Sequence, residues 1–144
     1  MPRSTFADTA FFIALLDRGD EFHDRAVAWN RELTQQSAKI VTSEMVLWEW
    51  LNASASPLRR GTAVQGYQKI RVDPRIQVID VDRTAMEAAV TMYCARHDKP
   101  WSLTDCMSFV IMERLNLKEA LTSDHDFEQA GFKALLRNEP IQGD

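Results

Sequence analysis

Acidic side chains stand at the points of this sequence where short apolar segments end. Asp8 follows the run "STFA", and Asp124 follows "EALTS", so each comes where a buried strand would reach the edge of its sheet. Asp126 lies two residues further on, across His125. Carboxylates that are brought together repel one another, and without cations some of them must stay protonated. A group of three or four such acids is therefore best suited to a hard divalent cation, which prefers oxygen ligands.

Further candidate acids lie in predicted helices. Asp105 falls in the first turn of "SLTDCMSFVIMERLN", and Glu44 and Glu49 fall near the start and middle of "EMVLWEWLNASA". Glu44 fits a solvated first-turn acid, whereas Glu49 lies between two tryptophans and has no obvious solvated face. Mg²⁺ keeps several of its waters and accepts only a few carboxylates, so a site of this kind would leave room for a phosphate group.

Several of these acids also fit purely structural roles. Asp8 could cap the helix "TAFFIALL", and Asp105 stands three residues after Ser102, as in a capping box. Asp124 or Asp126 could cap a short helix that begins nearby. Acids are also favoured in the first turn of any helix because of the helix dipole. No single acid establishes a site, and the prediction depends on the fold bringing several together.

The elements that must position these acids alternate between strand and helix. The predicted strands are Ser4 to Ala7, "KIVTS", "RIQVIDVD", "EALTS" and a marginal edge strand, "KALLRN". Between them lie segments with helical spacing, including "DEFHDRAVAWNRELTQQS" with Asp20 as its N-cap, and "TAVQGYQKIRVD", weakened by Gly66 and preceded by breaks at Pro57 and Gly61. This alternation predicts a parallel sheet covered on both faces, with ligands at the carboxyl ends of the strands.

Composition and charge narrow the class of protein. The chain has 144 residues, 45% of them apolar and 26% charged, and shows no internal repeat, so we expect one domain over residues 1–144. Asp8 interrupts the N-terminal apolar run, and we expect no secretory signal and no membrane association. Cys94 and Cys106 fit reduced core residues of a cytoplasmic protein. The net charge of −4 argues against a nucleic-acid binder, but it counts carboxylates without the metal ions that they would hold.

Four segments together resemble the motifs of a known family. In order they are "FADTAFFIALLD", "VTSEMVLWEWLN", "WSLTDCMSFVIME" and "ALTSDHDFEQAGF". They are similar to the motifs of PIN-domain ribonucleases, whose bacterial members include the toxins of VapC-type toxin–antitoxin pairs. The resemblance runs from about Ala7 to Phe132. It implies a three-layer α/β/α sandwich around a mainly parallel sheet of about four to five strands.

The resemblance also implies which acids form the site. The family's acids fall on Asp8, Glu49, Asp105 and Asp124. Asp8, Asp105 and Asp124 are expected to hold Mg²⁺ or Mn²⁺, and Glu49 either to ligate metal or to orient the attacking water. Glu49 aligns better than Glu44, and Asp126 falls at a variable position of the family, so neither Glu44 nor Asp126 belongs to the predicted set.

The activity implied by the resemblance is metal-dependent hydrolysis of RNA phosphodiester bonds, leaving 3′-hydroxyl and 5′-phosphate ends. The expected partners are an RNA substrate, an antitoxin protein and a second copy of the chain in a homodimer. The alternative is a non-catalytic module of the same fold that binds RNA or protein without cutting it. A haloacid-dehalogenase-like phosphatase fits poorly, because it would need a second Asp where the chain has Ala10.

One further segment is locally basic. Residues 57–75 carry five cations and a single acid, Asp73; the cations are Arg59, Arg60, Lys69, Arg71 and Arg75. The segment could track an RNA backbone, receive an acidic partner, or be an ordinary solvated helix face.

Overall fold

A five-stranded parallel sheet forms the centre of the computed structural model, which describes residues 2–141. The strands are β1 (Ser4–Ala7), β2 (Lys39–Ser43), β3 (Ile76–Ile79), β4 (Glu119–Leu121) and β5 (Lys133–Ala134). Their order across the sheet is β3-β2-β1-β4-β5, and every neighbouring pair is parallel. β1 therefore lies in the middle, with β4 beside it, so the residues that follow these two strands emerge next to each other.

Helices cover both faces of the sheet, which confirms the predicted three-layer α/β/α architecture. Within the described residues they are α1 (Thr9–Leu16), α2 (His23–Gln35), α3 (Glu44–Ala53), α4 (Pro57–Val72), α5 (Arg83–Ala95), α6 (Leu103–Arg114) and α7 (His125–Gln129). A short 3-10 turn, Leu135–Arg137, follows β5. None of the helices in this part of the chain combines the length and the apolar character that a membrane span requires.

The strands and α6 owe their positions to runs of apolar residues. Phe6 and Ala7 of β1 and Ile40 and Val41 of β2 are buried, as expected of central parallel strands that are covered on both faces. Every residue from 106 to 112 in α6 is buried. A helix that is buried on all sides is held by its neighbours along its whole length. The first turn of α6, which carries Asp105, is therefore fixed to the core.

Three local predictions differ from the structure. α2 begins at His23 rather than after Asp20, because Asp20 is used in a turn: its Oδ1 accepts from the Phe22 amide at 2.8 Å. Pro57 does not separate helices but begins α4, where proline is tolerated because a first-turn amide needs no partner within the helix. Gly61 lies inside α4.

Cys94, predicted to be a core residue, is exposed, whereas Cys106 is buried. The reason is the geometry of α5, which turns Ala85 and Ala89 towards the core. At 3.6 residues per turn, the nine residues from Ala85 to Cys94 make about two and a half turns. Cys94 therefore lies on the face of α5 opposite to Ala85.

Candidate metal centre

Asp8 follows β1 directly and is almost completely buried, with 5% of its surface exposed. It occupies the N-cap position of α1, but its side chain forms no capping hydrogen bond. Instead its Oδ2 accepts a hydrogen bond from the hydroxyl of Thr122 at 3.0 Å. Burial raises the pKa of Asp8 to about 7, and the negative charges of Asp105 and Glu49 act in the same direction. The hydrogen bonds from the Thr9 backbone and from Thr122 lower the pKa, because they stabilise the ionised carboxylate.

Asp105 lies in the first turn of α6 and forms the capping box that its spacing from Ser102 predicts. The Asp105 amide donates to Ser102 Oγ at 3.0 Å, and the Ser102 amide donates to Asp105 Oδ2 at 3.0 Å. Burial raises the pKa of Asp105 to about 6, and the charges of Asp124 and Asp126 also raise it, while the hydrogen bonds from Ser102 lower it. The capping role and a position beside other acids thus occur together.

Asp124 follows β4 and caps α7. Its Oδ1 accepts from the Asp126 amide at 2.9 Å, and its own amide donates to Thr122 Oγ1 at 3.0 Å. These bonds set the direction in which both side chains leave the turn. Asp126 lies in the first turn of α7.

Three of these carboxyl groups form a cluster. Asp105, Asp124 and Asp126 each offer one oxygen, and the three oxygens lie within 4.8 Å of one another. Oxygens around a single Mg²⁺ or Ca²⁺ lie roughly 2.0–2.6 Å from the ion, so this spacing fits a shared cation. Burial and the neighbouring charge of Asp124 raise the pKa of Asp126, whereas the positive charges of His125 and Lys99 lower it.

Asp126 is not among the residues that the sequence predicts for the site. Its signal is the two-residue spacing from Asp124 across the start of a helix, which turns both side chains to one side. That signal depends on where α7 begins, and a helix of five residues, His125–Gln129, has too few positions to show a periodic pattern.

Asp8 and Glu49 lie beside this cluster rather than inside it. Among the described residues, neither joins the three-oxygen group, yet the charges of both Asp105 and Glu49 act on Asp8. Asp8 thus links the cluster on one side to Glu49 of α3 on the other. Glu49 itself is half-buried, between the exposed ring of Trp48 and the buried ring of Trp50.

Glu44 has a structural role, although its sequence position fits a solvated acid. Its Oε1 accepts from the amide of Val81 at 2.9 Å, and its Oε2 lies 3.9 Å from Arg71. It joins the start of α3 to the segment that follows β3.

The chemistry of the donors fits a hard cation. In residues 2–141 the cluster contains only carboxylate oxygens, with no His or Cys ligand that would favour zinc. His125 points elsewhere, with Nδ1 3.1 Å from Glu128 Oε1. Burial, and then the charges of neighbouring acids, raise the pKa values of Asp8, Asp105 and Asp126, so negative charge is costly at this place. A divalent ion would supply the compensating positive charge.

The basic segment is largely engaged with the protein itself. Three of its five cations bond to neighbouring groups: Arg60 to the Ala55 carbonyl, Arg71 to the Tyr67 hydroxyl and Arg75 to the Asp73 carboxylate. Arg59 and Lys69 are exposed and form no ion pair within the described residues. A role for this segment in RNA binding stays a prediction.

Comparison with known proteins identifies close similarity in both sequence and fold. The chain is 28% identical over 131 residues to the 23S rRNA-specific endonuclease VapC20 of Mycobacterium tuberculosis, covering 88% of this chain and 94% of that protein. The crystal structure of VapC20, described as a Sarcin-Ricin loop cleaving toxin, superposes with a TM-score of 0.79 at 27% identity, covering 89% of this chain and 95% of VapC20.

Two more distant structures share the fold. VapBC2 from Rickettsia felis, bound to a DNA fragment from its promoter, matches with a TM-score of 0.67 at 13% identity over 91% of this chain and 96% of that one. FitAcB from Neisseria gonorrhoeae matches with a TM-score of 0.64 at 18% identity over 90% and 95%. The model of the PIN domain matches residues 5–133, which include all the acids described above. The chain belongs to the PIN domain family.

Proposed function

We propose that this protein is a divalent-metal-dependent ribonuclease and the toxin of a toxin–antitoxin pair. The observation that carries the proposal is the cluster of carboxylate oxygens at the carboxyl edge of the sheet, built from Asp105, Asp124 and Asp126 with Asp8 beside it. Membership of the PIN family and the similarity to an endonuclease over most of the chain support the same activity.

In this proposal Asp105, Asp124 and Asp126 hold the first cation, and Asp8 completes the site. Bound Mg²⁺ or Mn²⁺ would polarise the scissile phosphate and lower the pKa of an attacking water. Because Asp8 and Asp105 bind protons more tightly than ordinary carboxyl groups, each must release its proton before it serves as a ligand. Glu49, on the far side of Asp8, ligates metal or orients the attacking water.

The substrate class that the comparisons favour is RNA, and ribosomal RNA is the first candidate to test. The named target of the relative is 23S rRNA, and its structure is described as cleaving the Sarcin-Ricin loop. Lys and Arg contacts to the RNA phosphates would release condensed counterions, so RNA binding should weaken as salt rises.

The proposed protein partner is an antitoxin, and a groove between α1, α3 and α4 suits a segment of it. Ile13, Leu16 and Trp50 line the groove, and at its rim the side chain of Leu58 is 96% exposed. Arg59 also lines it, so an antitoxin segment with apolar and acidic residues is the complementary occupant. Self-association as a homodimer is proposed as well, and sedimentation velocity of the purified protein would measure it directly.

Cleavage of total cellular RNA tests the ribonuclease proposal. Purified protein should cut RNA with Mg²⁺ or Mn²⁺ and stop with EDTA, while Asp105→Asn should be inactive although folded by circular dichroism. Glu113→Gln, which removes an exposed acid from the far end of the same helix, is the matched control and should cut normally. Intact RNA with every protein, on both the total pool and isolated 23S rRNA, would instead favour the non-catalytic module.

A further inference from the structure

Thr122 lies between β4 and Asp124 and is completely buried. Its backbone is held on both sides: the Thr122 amide donates to the Ala120 carbonyl at 3.0 Å, and the Leu136 amide donates to the Thr122 carbonyl at 3.1 Å. The position of its side chain is therefore set by the sheet and by the 3-10 turn that follows β5.

The hydroxyl of Thr122 makes two hydrogen bonds to two different acids of the proposed centre. It donates to Asp8 Oδ2 at 3.0 Å and accepts from the Asp124 amide at 3.0 Å. An amide can only donate, so the hydroxyl must use a lone pair towards Asp124, and its single proton points to Asp8. When Asp8 is ionised, as it must be to bind a cation, the direction of this bond is fixed, and Asp8 Oδ2 is the acceptor.

These bonds decide how the two carboxylates are presented. Asp8 is held through Oδ2, and Asp124 through Oδ1, which accepts from the Asp126 amide. A cation would then take the remaining oxygen of each group. We propose that Thr122 is the positioning residue that fixes Asp8, at the end of β1, relative to Asp124, at the end of β4, in the geometry that binds the cation. The inference rests on the metal centre proposed above.

Threonine suits this role better than other residues of its size. Its β-branch restricts rotation about χ1, so the hydroxyl keeps one direction even before a cation binds. Its burial leaves no water to replace the hydroxyl as a bridge between Asp8 and the Asp124 amide. Valine would preserve the shape and remove both hydrogen bonds, whereas serine would keep the hydroxyl with a freer χ1.

The test is calorimetric titration of the purified protein with Mn²⁺ at fixed pH. This measurement requires no RNA. Residues that orient metal ligands typically change affinity about 10–100-fold when they are removed. Thr122→Val should therefore weaken Mn²⁺ binding at least tenfold, and Thr122→Ser should restore most of the affinity. At saturating Mn²⁺ the KM for RNA should stay near that of the wild type, because Thr122 is completely buried and cannot contact RNA.

A matched control lies near the amino-terminal ends of the strands, away from the acid cluster. Thr5 is equally buried, and its hydroxyl donates to another carboxylate, Glu119 Oε1, at 2.8 Å. Thr5→Val should leave Mn²⁺ affinity unchanged. If Thr122→Val does not fold, Thr122→Cys takes its place, because a thiol of similar size is only a weak donor; the same loss is expected.

The outcomes separate the two proposals. Mn²⁺ affinity in Thr122→Val or Thr122→Cys equal to the wild type, or lowered as much in Thr5→Val, would overturn the positioning role. Mn²⁺ binding that depends on Thr122, in a protein that cuts no RNA, would support the positioning role and contradict the nuclease. A wild type that binds no Mn²⁺ would overturn both.

Discussion

Ser102 and Asp105 hold each other at the start of α6 through two reciprocal hydrogen bonds of 3.0 Å. Asp105 Oδ2 thus accepts from the amide of the N-cap residue, while the other carboxylate oxygen is left for a cation. The helix is buried from residue 106 to residue 112, so this carboxylate is attached to a helix that is packed into the core. A stabilising cap and a ligand-positioning device are here the same pair of residues.

Replacing Ser102 with alanine should have two separable effects. Loss of an N-cap typically costs about 1 kcal/mol of stability. Because the cap also orients Asp105, Ser102→Ala should in addition raise the Mn²⁺ concentration needed for half-maximal RNA cleavage by about tenfold. Urea unfolding and metal titrations of activity measure the two effects.

Asp82→Ala is the control for the capping effect alone. Asp82 caps α5 by accepting from the Ala85 amide at 2.8 Å, and it takes no part in the acid cluster. The Asp82→Ala variant should lose about as much stability as Ser102→Ala, and the Mn²⁺ concentration that it needs for half-maximal RNA cleavage should not change. Equal changes of metal dependence in both variants would mean that Ser102 acts only through overall stability.

The strands and helices are predictable from the local pattern of apolar residues. The wrong predictions fall on residues that fit two different local structures. Pro57 serves equally to end one helix or begin the next, and Asp20 serves equally as a cap or in a turn. In both places the packing of the whole chain determines which structure forms: α4 lies against α3, and the chain makes one more turn before α2 begins. Cys94 is a different case, because the sequence does mark its side of α5: it continues the stripe of Thr84, Glu87 and Thr91, and all four residues are exposed.

Only part of the candidate site is predictable from the sequence. Asp8 and Asp124 are predictable because they end neighbouring parallel strands, a consequence of topology alone. The hydrogen bond between Thr122 and Asp8 spans 114 positions of sequence, and no local pattern encodes it. Asp126 joins the cluster only because α7 begins immediately after Asp124.

Asp126→Asn tests whether the third acid of the cluster is a ligand. Its backbone amide would still donate to Asp124 Oδ1, so the turn should persist while one charge is lost. We expect Mn²⁺ affinity to fall about tenfold, as is typical when an oxygen ligand or its orienting partner is weakened. Calorimetric titration with Mn²⁺ measures the change.

Glu128→Gln is the matched variant on the same helix. Glu128 Oε1 lies 3.0 Å from Arg137 Nε and 3.1 Å from His125 Nδ1, outside the acid cluster. The substitution therefore removes the same charge as Asp126→Asn without touching the cluster. It should bind Mn²⁺ as the wild type does. If Asp126→Asn also binds Mn²⁺ normally, the site comprises only the acids predicted from the sequence.

Two glycines of α4 should respond to alanine in opposite directions. A Cβ at Gly66 would lie 2.7 Å from Leu16 Cδ1 and 3.0 Å from Trp50 Cη2, whereas a Cβ at Gly61 would meet nothing within 4 Å. Overpacking typically costs 1–3 kcal/mol, about what we expect for Gly66→Ala. Gly61→Ala should stabilise by about 0.5–1 kcal/mol, because glycine in a helix interior loses more backbone entropy. Stabilisation by both substitutions in urea unfolding would mean that α4 does not pack against Trp50 as described.

The acid cluster should make the metal-free protein less stable as pH rises from about 4 to 8. The folded-state pKa values of Asp8, about 7, and Asp105, about 6, are raised by burial above those of unfolded chains. The folded state therefore holds more protons in this window, and its stability is complete below the unfolded pKa and lost as pH rises through the folded one. For Asp8 the loss is on the order of 4 kcal/mol. Urea unfolding in EDTA at several pH values between 4 and 8 measures it.

Divalent cations should reverse this trend, because they replace the protons that Asp8 and Asp105 release. Stabilisation by saturating Mg²⁺ should be small at pH 5 and largest at pH 8. Asp8→Asn keeps an oxygen for the Thr122 hydroxyl but cannot ionise, so in EDTA its stability should change less between the two pH values. Carboxyl groups with lowered pKa, such as Glu119, lose their effect only below this window. The same pH slope in Asp8→Asn and the wild type would show that Asp8 is not the group that titrates.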